Sequence, residues 1–565
     1  MMMRLRGAVR ETAKAFGLSN SLANRISRRL PYDVHGSVAD ALAHRIPESL
    51  RNCINPDTWR QVIRFAQNIR GFPRHLGIHC GGVVIGDRPL DRYVPLERAT
   101  KGVVITQYEK DSIEDIGLVK MDFLGNHGLT IRDDSLRLIA REKGQRVEVT
   151  DIPMRDERTA TLLRTGGTIG CCQLESPAMR NLLQMLQAGS CPELMQALAL
   201  IRPGPASMGM KERFVRRARG LEPPAVSHPA LEEVLIGSYG IMLYEDHAME
   251  SAAALMGGSL TEGDVIRKAI SKAKTPDDLR KASRAFFERA LDRGIPTRTL
   301  ETVWSHMAQF NAYSFCKAHA ASYARLAWHL AWLKAHHPLE FMVAVLNHQW
   351  GMYPRRVHVE AARRLGLTIL PPCVNQSQRG FSAEDGAIRI GLDQVKGLTE
   401  SAIRRTLDAR NGDPYHSVTD FMARVALSQE ELDALILCGA FDFTQTPRPM
   451  LIWEGRTNAS SRESASSTSL LCRPESPPAP RLPDYPPETK LRYETEILEL
   501  SVSRHPMAPF RPTLRRRGFT DSSKLRSAVG KRIRIAGLLA ALRETDTKRN
   551  DGMQFLTLED EYGVI

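Results

Sequence analysis

The sequence predicts a multidomain α+β protein in which helical domains dominate, and three observations predict it. Its 565 residues exceed what one core holds, since domains typically run to about 100–150 residues. Stretches such as RETAKAFGLSNSLANRI and TWRQVIRFAQNI carry apolar residues at helical spacing, whereas residues 75–130 switch to short β-rich runs broken by Gly, Pro and Asp. A second strand-like pair occupies the last segment of the sequence.

Taken in order, residues 1–74 read as a small helical region and 75–150 as a sheet-bearing one, with strands in GGVVIG, GVVITQY and GLVKMDFLG. Residues 151–370 return to helical patterns and form the largest domain, in which the apolar stretch from Ala318 to Leu346 suits one long buried helix. At 371–445, IRIGLDQVKGLTESAIRRTLDAR sets a Gly turn directly before a basic amphipathic helix. Residues 446–525 connect, and within them the Ser-, Pro- and Arg-rich stretch 457–488 cannot bury a core and reads as a linker. In 526–565, KRIRIAGLLAAL and MQFLTLEDEYGVI alternate as a hairpin would.

Lysine and arginine number 78 against 64 acidic residues, and the net charge of +14 points to a polyanionic partner, nucleic acid first. No apolar run approaches the roughly 20 residues that cross a bilayer, and the first residues lack a signal-peptide core, so a cytoplasmic protein with no membrane partner is expected. Nine cysteines are scattered, with Cys171 and Cys172 adjacent, which suggests neither a zinc ribbon nor a disulfide framework.

The most informative stretch is GLVKMDFLG. On a strand, side chains alternate between faces, so Lys120 and Asp122 project together, roughly 6–7 Å apart along the chain, and Val119, Met121 and Phe123 point the other way. A carboxylate that holds Mg²⁺ beside a lysine that neutralises triphosphate oxygens is what phosphoryl transfer needs. The same spacing also fits a surface salt pair on an edge strand.

The text around this pair resembles the alpha subunit of bacterial DNA polymerase III, the C-family polymerases, motif by motif and in order. HLGIHCGGVVI at 75–85, GLVKMDFLG, IRPGP at 201–205, GIMLYEDHAM at 240–249, VIRKAISK at 265–272 and FNAYSFCKAHAASYA at 310–324 follow one another. QVKGLTESAI resembles the family's helix-hairpin-helix, LRYETEILELSVSRHP its approach to the last module, and KRIRIAGLL with FLTLEDEYG the start of its OB fold. The resemblance implies a thumb-like helical region at 1–74, a partial, mixed-sheet, nucleotidyltransferase-like palm at 75–150, mostly helical fingers at 151–370, a helix-hairpin-helix at 371–445, and a partial β-barrel OB fold at 526–565.

Residue by residue, Asp122 resembles the third metal-binding aspartate of the palm and Lys120 the neighbouring lysine that contacts the incoming nucleotide. Arg267, Lys268, Tyr313, Lys317 and His319 fall on the fingers surface implied to close over the triphosphate. On residues alone Arg267 and Lys268 could equally be a solvated helical face, and His319 a satisfied core histidine. His79 either contacts the palm or makes a structural hydrogen bond. Lys396, Gly397, Arg404 and Arg405 would grip duplex phosphates without reading sequence, although Gly397 could be an ordinary helix C-cap. Phe555 and Tyr562 are the visible aromatic candidates for stacking on template in the OB module.

The implied activity is DNA-directed DNA synthesis in replication or translesion repair, with two Mg²⁺ ions, a primed DNA template and deoxynucleoside triphosphates. A sliding clamp or other replication proteins are implied as partners. The family's paired Asp-x-Asp stretch does not occur in this sequence, so the chain is expected to be inactive alone, or to work with a separately encoded N-terminal part; the alternative is a non-catalytic DNA-binding remnant. Tyr244, Asp246 and His247 replace a common Gln-Glu-Gln run and Lys268 a common Arg, which leaves the replicative and error-prone types both open.

Overall fold

A computed structural model describes residues 1–30, 38–39, 46, 48–75, 77–201, 209–273, 276–311, 315–348, 351–410, 412–465, 481–546 and 552–565. Two compact units divide at Gly125.

In the first unit, helices α1 (Leu5–Ala15), α2 (Asn20–Ser27) and α3 (Pro56–Ile69) bury Leu5, Val9, Ile26 and Ala66 against one another. Their starts are written locally. Ser19 accepts the Leu22 N–H at 3.2 Å, and Asn55 accepts that of Asp57 at 2.8 Å ahead of Pro56. Four short strands follow: β1 (Gly82–Ile85), β2 (Leu96–Arg98), β3 (Val104–Thr106) and, after helix α4 (Lys110–Asp115), β4 (Val119–Asp122). They make two separate antiparallel pairs, β1 with β4 and β2 with β3, rather than the mixed sheet expected. The GVVITQY segment folds back on its own neighbour because Gly102, at φ +81°, closes a tight turn in which the Ala99 N–H bonds Val103 O at 2.9 Å.

The second unit begins with helix α5 (His127–Lys143), whose Ile131, Ser135 and Ile139 are buried in that unit's own core. Residues 126–150, placed with the sheet segment on sequence, therefore pack with the helical domain instead. Helices α6 (Glu157–Thr165), α7 (Pro177–Leu186), α8 (Cys191–Leu200) and α9 (Met210–Ala218) come next. A satellite core of Leu255, Ile266, Phe286 and Leu300 joins α10 (Glu245–Met256), α11 (Leu260–Lys272), α12 (Pro276–Asp292) and α13 (Thr297–Asn311).

The single helix expected from Ala318 to Leu346 is two: α14 (Lys317–His336), with Trp328 fully buried, and α15 (Pro338–His348). Pro338 forces the break, because the residue before proline is driven from helical backbone; His337 sits at φ −133°, ψ 59°.

After α16 (Arg355–Arg364), strands β5 (Ile369–Leu370), β6 (Ser382–Glu384) and β7 (Ala387–Arg389) form a small mixed sheet in the order β5-β7-β6. Helices α17 (Glu400–Ala409), α18 (Val418–Arg424), α19 (Gln429–Leu437) and α20 (Arg448–Ala465) follow. Helix α20 runs through residues 457–465, which composition had assigned to the linker, because its first half is packed through buried Leu451 and a packed turn propagates at little cost. Residues 466–480 of that linker lie outside the described residues, and α21 (Pro487–Leu498) resumes beyond them.

The last hairpin is present as β8 (Leu538–Asp546) paired antiparallel with β9 (Gly552–Glu559), Leu542 facing Leu556, with a bulge between Leu539 and Ala541. Lys531–Gly537, read as part of this strand, contribute only an isolated bridge from Arg534 to Phe519, and no further strand joins the pair among the described residues. Buried Glu559 ties β9 to α16, accepting from Arg356 and Arg364 at 3.0 Å each. No helix among the described residues is long and apolar enough to cross a membrane.

Candidate functional site

Asp122 is placed by a short chain of local causes. Helix α4 starts where the Glu109 carboxylate accepts the amides of Asp111 and Ser112, at 2.9 and 2.8 Å. It stops where Gly117, at φ +81°, donates its N–H to Glu114 O, and this left-handed stop turns the chain into β4. Val84 of β1 and Leu118 rest on the small core of Val94 and Ile113. The register then sets Lys120 opposite Val84 and Asp122 opposite Gly82, and the Phe123 N–H closes the ladder on Gly81 O at 2.7 Å.

The alternation read from sequence holds. Lys120 and Asp122 share a face and meet, the ammonium donating to Asp122 Oδ1, while Val119, Met121 and Phe123 are exposed on the opposite face. That hydrogen bond, with the charge of Lys120, holds the Asp122 carboxyl below the usual carboxylate range. Asp122 is 45% exposed and Lys120 only 14%. His79, on the loop before β1, accepts the Gly81 N–H on Nδ1 at 3.2 Å, and the same nitrogen is 3.7 Å from Asp122 Oδ1.

An exposed, ionised carboxylate suits one ligand position of Mg²⁺, which commonly takes one or two protein carboxylates together with substrate phosphates. Among the described residues, no group of three or more His, Cys, Asp or Glu side chains is arranged to hold a metal ion, so Asp122 fits one ligand position and not a two-ion cage.

In the second unit the cations singled out on sequence cluster around two helix starts. Arg267 donates Nε to Asp264 at 2.8 Å and Nη1 to Glu245 at 3.1 Å, and Lys268 reaches the other Asp264 oxygen at 2.7 Å. Glu245 opens α10 and donates its N–H to Phe315 O at 3.1 Å, while Asp246 accepts the Lys317 N–H at 2.9 Å and so caps α14. Gly263 lets α11 approach α10, since a Cβ there would fall 2.3 Å from Met249 O.

Thus Asp264 holds Arg267 and Lys268 side by side, Glu245 ties Arg267 to the start of α10, and Asp246 ties that start to the Lys317 backbone at the start of α14. His319 is exposed, held edge-on between Phe315 and Tyr323, and is not a core histidine. Tyr313 and residues 202–205 of the IRPGP motif lie outside the described residues. His247 is buried, its Nδ1 accepts the Leu243 N–H, and burial pulls its pKa down to about 4, so it is a packing residue. Sequence reasoning missed Glu245 and Asp264 as holders of the cations; the i,i+3 and i,i+4 spacing of Asp264 to Arg267 and Lys268 was the readable signal.

Gly397 sits at φ +90° with nothing within 4 Å of a Cβ built on it, two residues ahead of the Thr399 cap of α17, so it opens the turn into a helix rather than ending one. Lys396, Arg404 and Arg405 are exposed around it, although Arg405 donates Nε to Ala426 O at 3.0 Å and Lys396 Nζ is 3.6 Å from Glu499. Phe555 and Tyr562 are both exposed, and Arg511 lies 5.7 Å from the Tyr562 ring.

Residues 1–125 match the family model of the bacterial DNA polymerase III alpha NTPase domain, 128–294 that of the bacterial DNA polymerase III alpha subunit finger domain, and 366–451 a helix-hairpin-helix motif. The boundary between the first two coincides with the division between the compact units. The chain is 31% identical to an error-prone DNA polymerase of Symbiobacterium thermophilum, across 99% of the chain and 56% of that protein. It is 32% identical to DNA polymerase III subunit alpha of Bacillus subtilis, across 99% and 51%, and 32% identical to an error-prone DNA polymerase of Methylococcus capsulatus, across 100% and 55%. The chain spans about half the length of these curated relatives, and by sequence it stands with the bacterial DNA polymerase III alpha subunits and error-prone DNA polymerases.

Proposed function

We propose that the chain is part of a DNA-directed DNA polymerase that uses Mg²⁺ and deoxynucleoside triphosphates on a primed template, in replication or translesion repair. The observation that carries this reading is the Lys120–Asp122 pair on one face of β4, in a chain related to DNA polymerases along its whole length. Asp122 would supply one oxygen ligand to Mg²⁺, whose chemistry when bound would be to neutralise charge on the reacting phosphate. Lys120, beside Asp122 on the same face of β4, would offer its ammonium to triphosphate oxygens. Arg267, Lys268, Lys317, His319 and Tyr313 serve the triphosphate from the fingers, and the hairpin at Lys396, Gly397, Arg404 and Arg405 holds duplex phosphates.

The remaining carboxylates that two-ion displacement needs would come from a separately encoded N-terminal polymerase part, and a sliding clamp or other replication proteins are the further partners of this reading. Primer extension tests the proposal. The purified chain should not extend a primed template alone, and should do so with added polypeptide corresponding to the rest of a relative's NTPase domain. Asp122→Asn should then cut the rate by at least about 100-fold, the loss of a metal ligand costing several kcal/mol at 1.36 per decade. Undiminished extension by the Asp122→Asn mixture sinks the assignment; salt-sensitive DNA binding with no extension in any mixture favours the remnant reading.

A further inference from the structure

The loop before β1 folds a third side chain, His79, onto the Asp122 face, and Gly82 makes room for it. A Cβ on Gly82, directly opposite Asp122, would stand 3.0 Å from His79 Nδ1 and 3.1 Å from Lys120 Cε. A Cβ on Gly81 would stand 2.3 Å from Phe123 O. Bare backbone at Gly82 therefore lets the imidazole and the lysine stem lie against β1 while both reach towards one carboxylate, and bare backbone at Gly81 lets the ladder close on Phe123.

The imidazole is oriented by its hydrogen bond. Nδ1 accepts the Gly81 N–H, which in the neutral ring puts the proton on Nε2. At 3.7 Å the contact to Asp122 is too long for a hydrogen bond, so the ring is not committed to the carboxylate. It is also about half exposed. What stands beside Asp122 is thus an Nε2–H donor oriented by the turn, complementary to an oxygen that carries negative charge and cannot itself donate. A phosphate oxygen has that chemistry.

We propose that His79 is a nucleotide-binding residue of this site, donating Nε2–H to a phosphate of the triphosphate that Asp122 and Lys120 engage. The inference rests on the polymerase reading of Asp122. The competing role is purely structural, with Nδ1 holding the turn, and two substitutions separate them. His79→Asn keeps an oxygen that accepts the amide two residues on, as asparagine does in Asx turns, but removes the donor at the far side of the ring. His79→Gln does the reverse, reaching the Nε2 position with an amide N–H.

The measurement is Mg²⁺-dependent binding of a fluorescent deoxynucleoside triphosphate to the full chain, with Asp122→Asn as the reference variant. Wild type should show a Mg²⁺-dependent affinity that Asp122→Asn loses and that His79→Asn weakens about 10-fold, the effect of losing one hydrogen bond to a charged group. His79→Gln should retain more of it than His79→Asn. If His79→Asn matches wild type, or binds better than His79→Gln, while Asp122→Asn loses binding, the role of His79 is overturned and the reading of Asp122 stands. If wild type shows no Mg²⁺-dependent binding, or Asp122→Asn leaves it intact, both fall together.

Discussion

One oxygen of Glu431 accepts both the N–H and the hydroxyl of Thr399, at 3.0 and 2.8 Å, and so ties the start of α17 to the start of α19. The other oxygen accepts the Ser428 N–H at 2.9 Å, closing the capping box of α19. Burial of this carboxylate opposes its charge, but the hydrogen bonds outweigh it and hold its pKa below the ordinary 4.5. Glu431→Gln should therefore lower stability by about 2 kcal/mol, the scale of a lost charged hydrogen bond, in urea denaturation near neutral pH. Because the folded-state pKa is depressed, the contribution is present above pH 4.5 and is lost as pH falls through the lower folded value. A difference between variant and wild type that persists unchanged well below that range would show that charge is not what joins the helices.

What was legible in the sequence was whatever depends on near neighbours. Period two placed Lys120 with Asp122, and helical periodicity found α14 and α15, although the break that Pro338 imposes was there to be read. The partners across space were not legible. That Gly82 faces Asp122, 40 residues further on, is a matter of strand register, set by the turn at Gly117 and a small core between them rather than by either segment alone. Glu245 meets Arg267 only because Gly263 lets two helices close together, and Glu431 meets Thr399 only through the fold of the hairpin. Composition misjudged 457–465 because helix α20 continues from a packed half that composition does not see.

Gly81→Ala should disrupt β4 more than Gly82→Ala. The first methyl would meet backbone, Phe123 O, at 2.3 Å and has to push the strands apart, whereas the second meets the ends of two movable side chains at 3.0 and 3.1 Å. Overpacking of this kind costs about 1–3 kcal/mol. Hydrogen exchange localises the effect: amides of Val119–Phe123 should exchange faster in Gly81→Ala than in Gly82→Ala. Equal protection in the two variants would contradict the register.

Asp264 holds both Arg267 and Lys268, occupying the charges proposed to meet a triphosphate, and the Lys268 ion pair leads in holding its own pKa down. Asp264→Asn should raise triphosphate affinity roughly 2- to 5-fold at low salt, a size in keeping with exposed ion pairs, and the gain should vanish in about 1 M salt. Fluorescent-nucleotide titration at two salt concentrations reads both. An affinity that falls, or a gain that ignores salt, would mean Asp264 positions these cations rather than competing for them.

The hairpin cations divide by what already holds them. Arg404 projects from the exposed face of α17, while Arg405 is anchored on Ala426 O and Lys396 lies near Glu499. A phosphate contact releases counterions, so each one adds about 0.9 to the slope of log affinity against log salt. Arg404→Ala should thus reduce that slope by about one on duplex DNA of any sequence and leave stability within about 0.5 kcal/mol, as an exposed substitution does. Arg405→Ala should also loosen the hold of α17 on the α18–α19 connection, because it removes the donor to the Ala426 carbonyl. Fluorescence anisotropy across a salt series, with urea denaturation alongside, separates the two; an Arg404→Ala slope equal to wild type would remove this residue from the DNA-binding face.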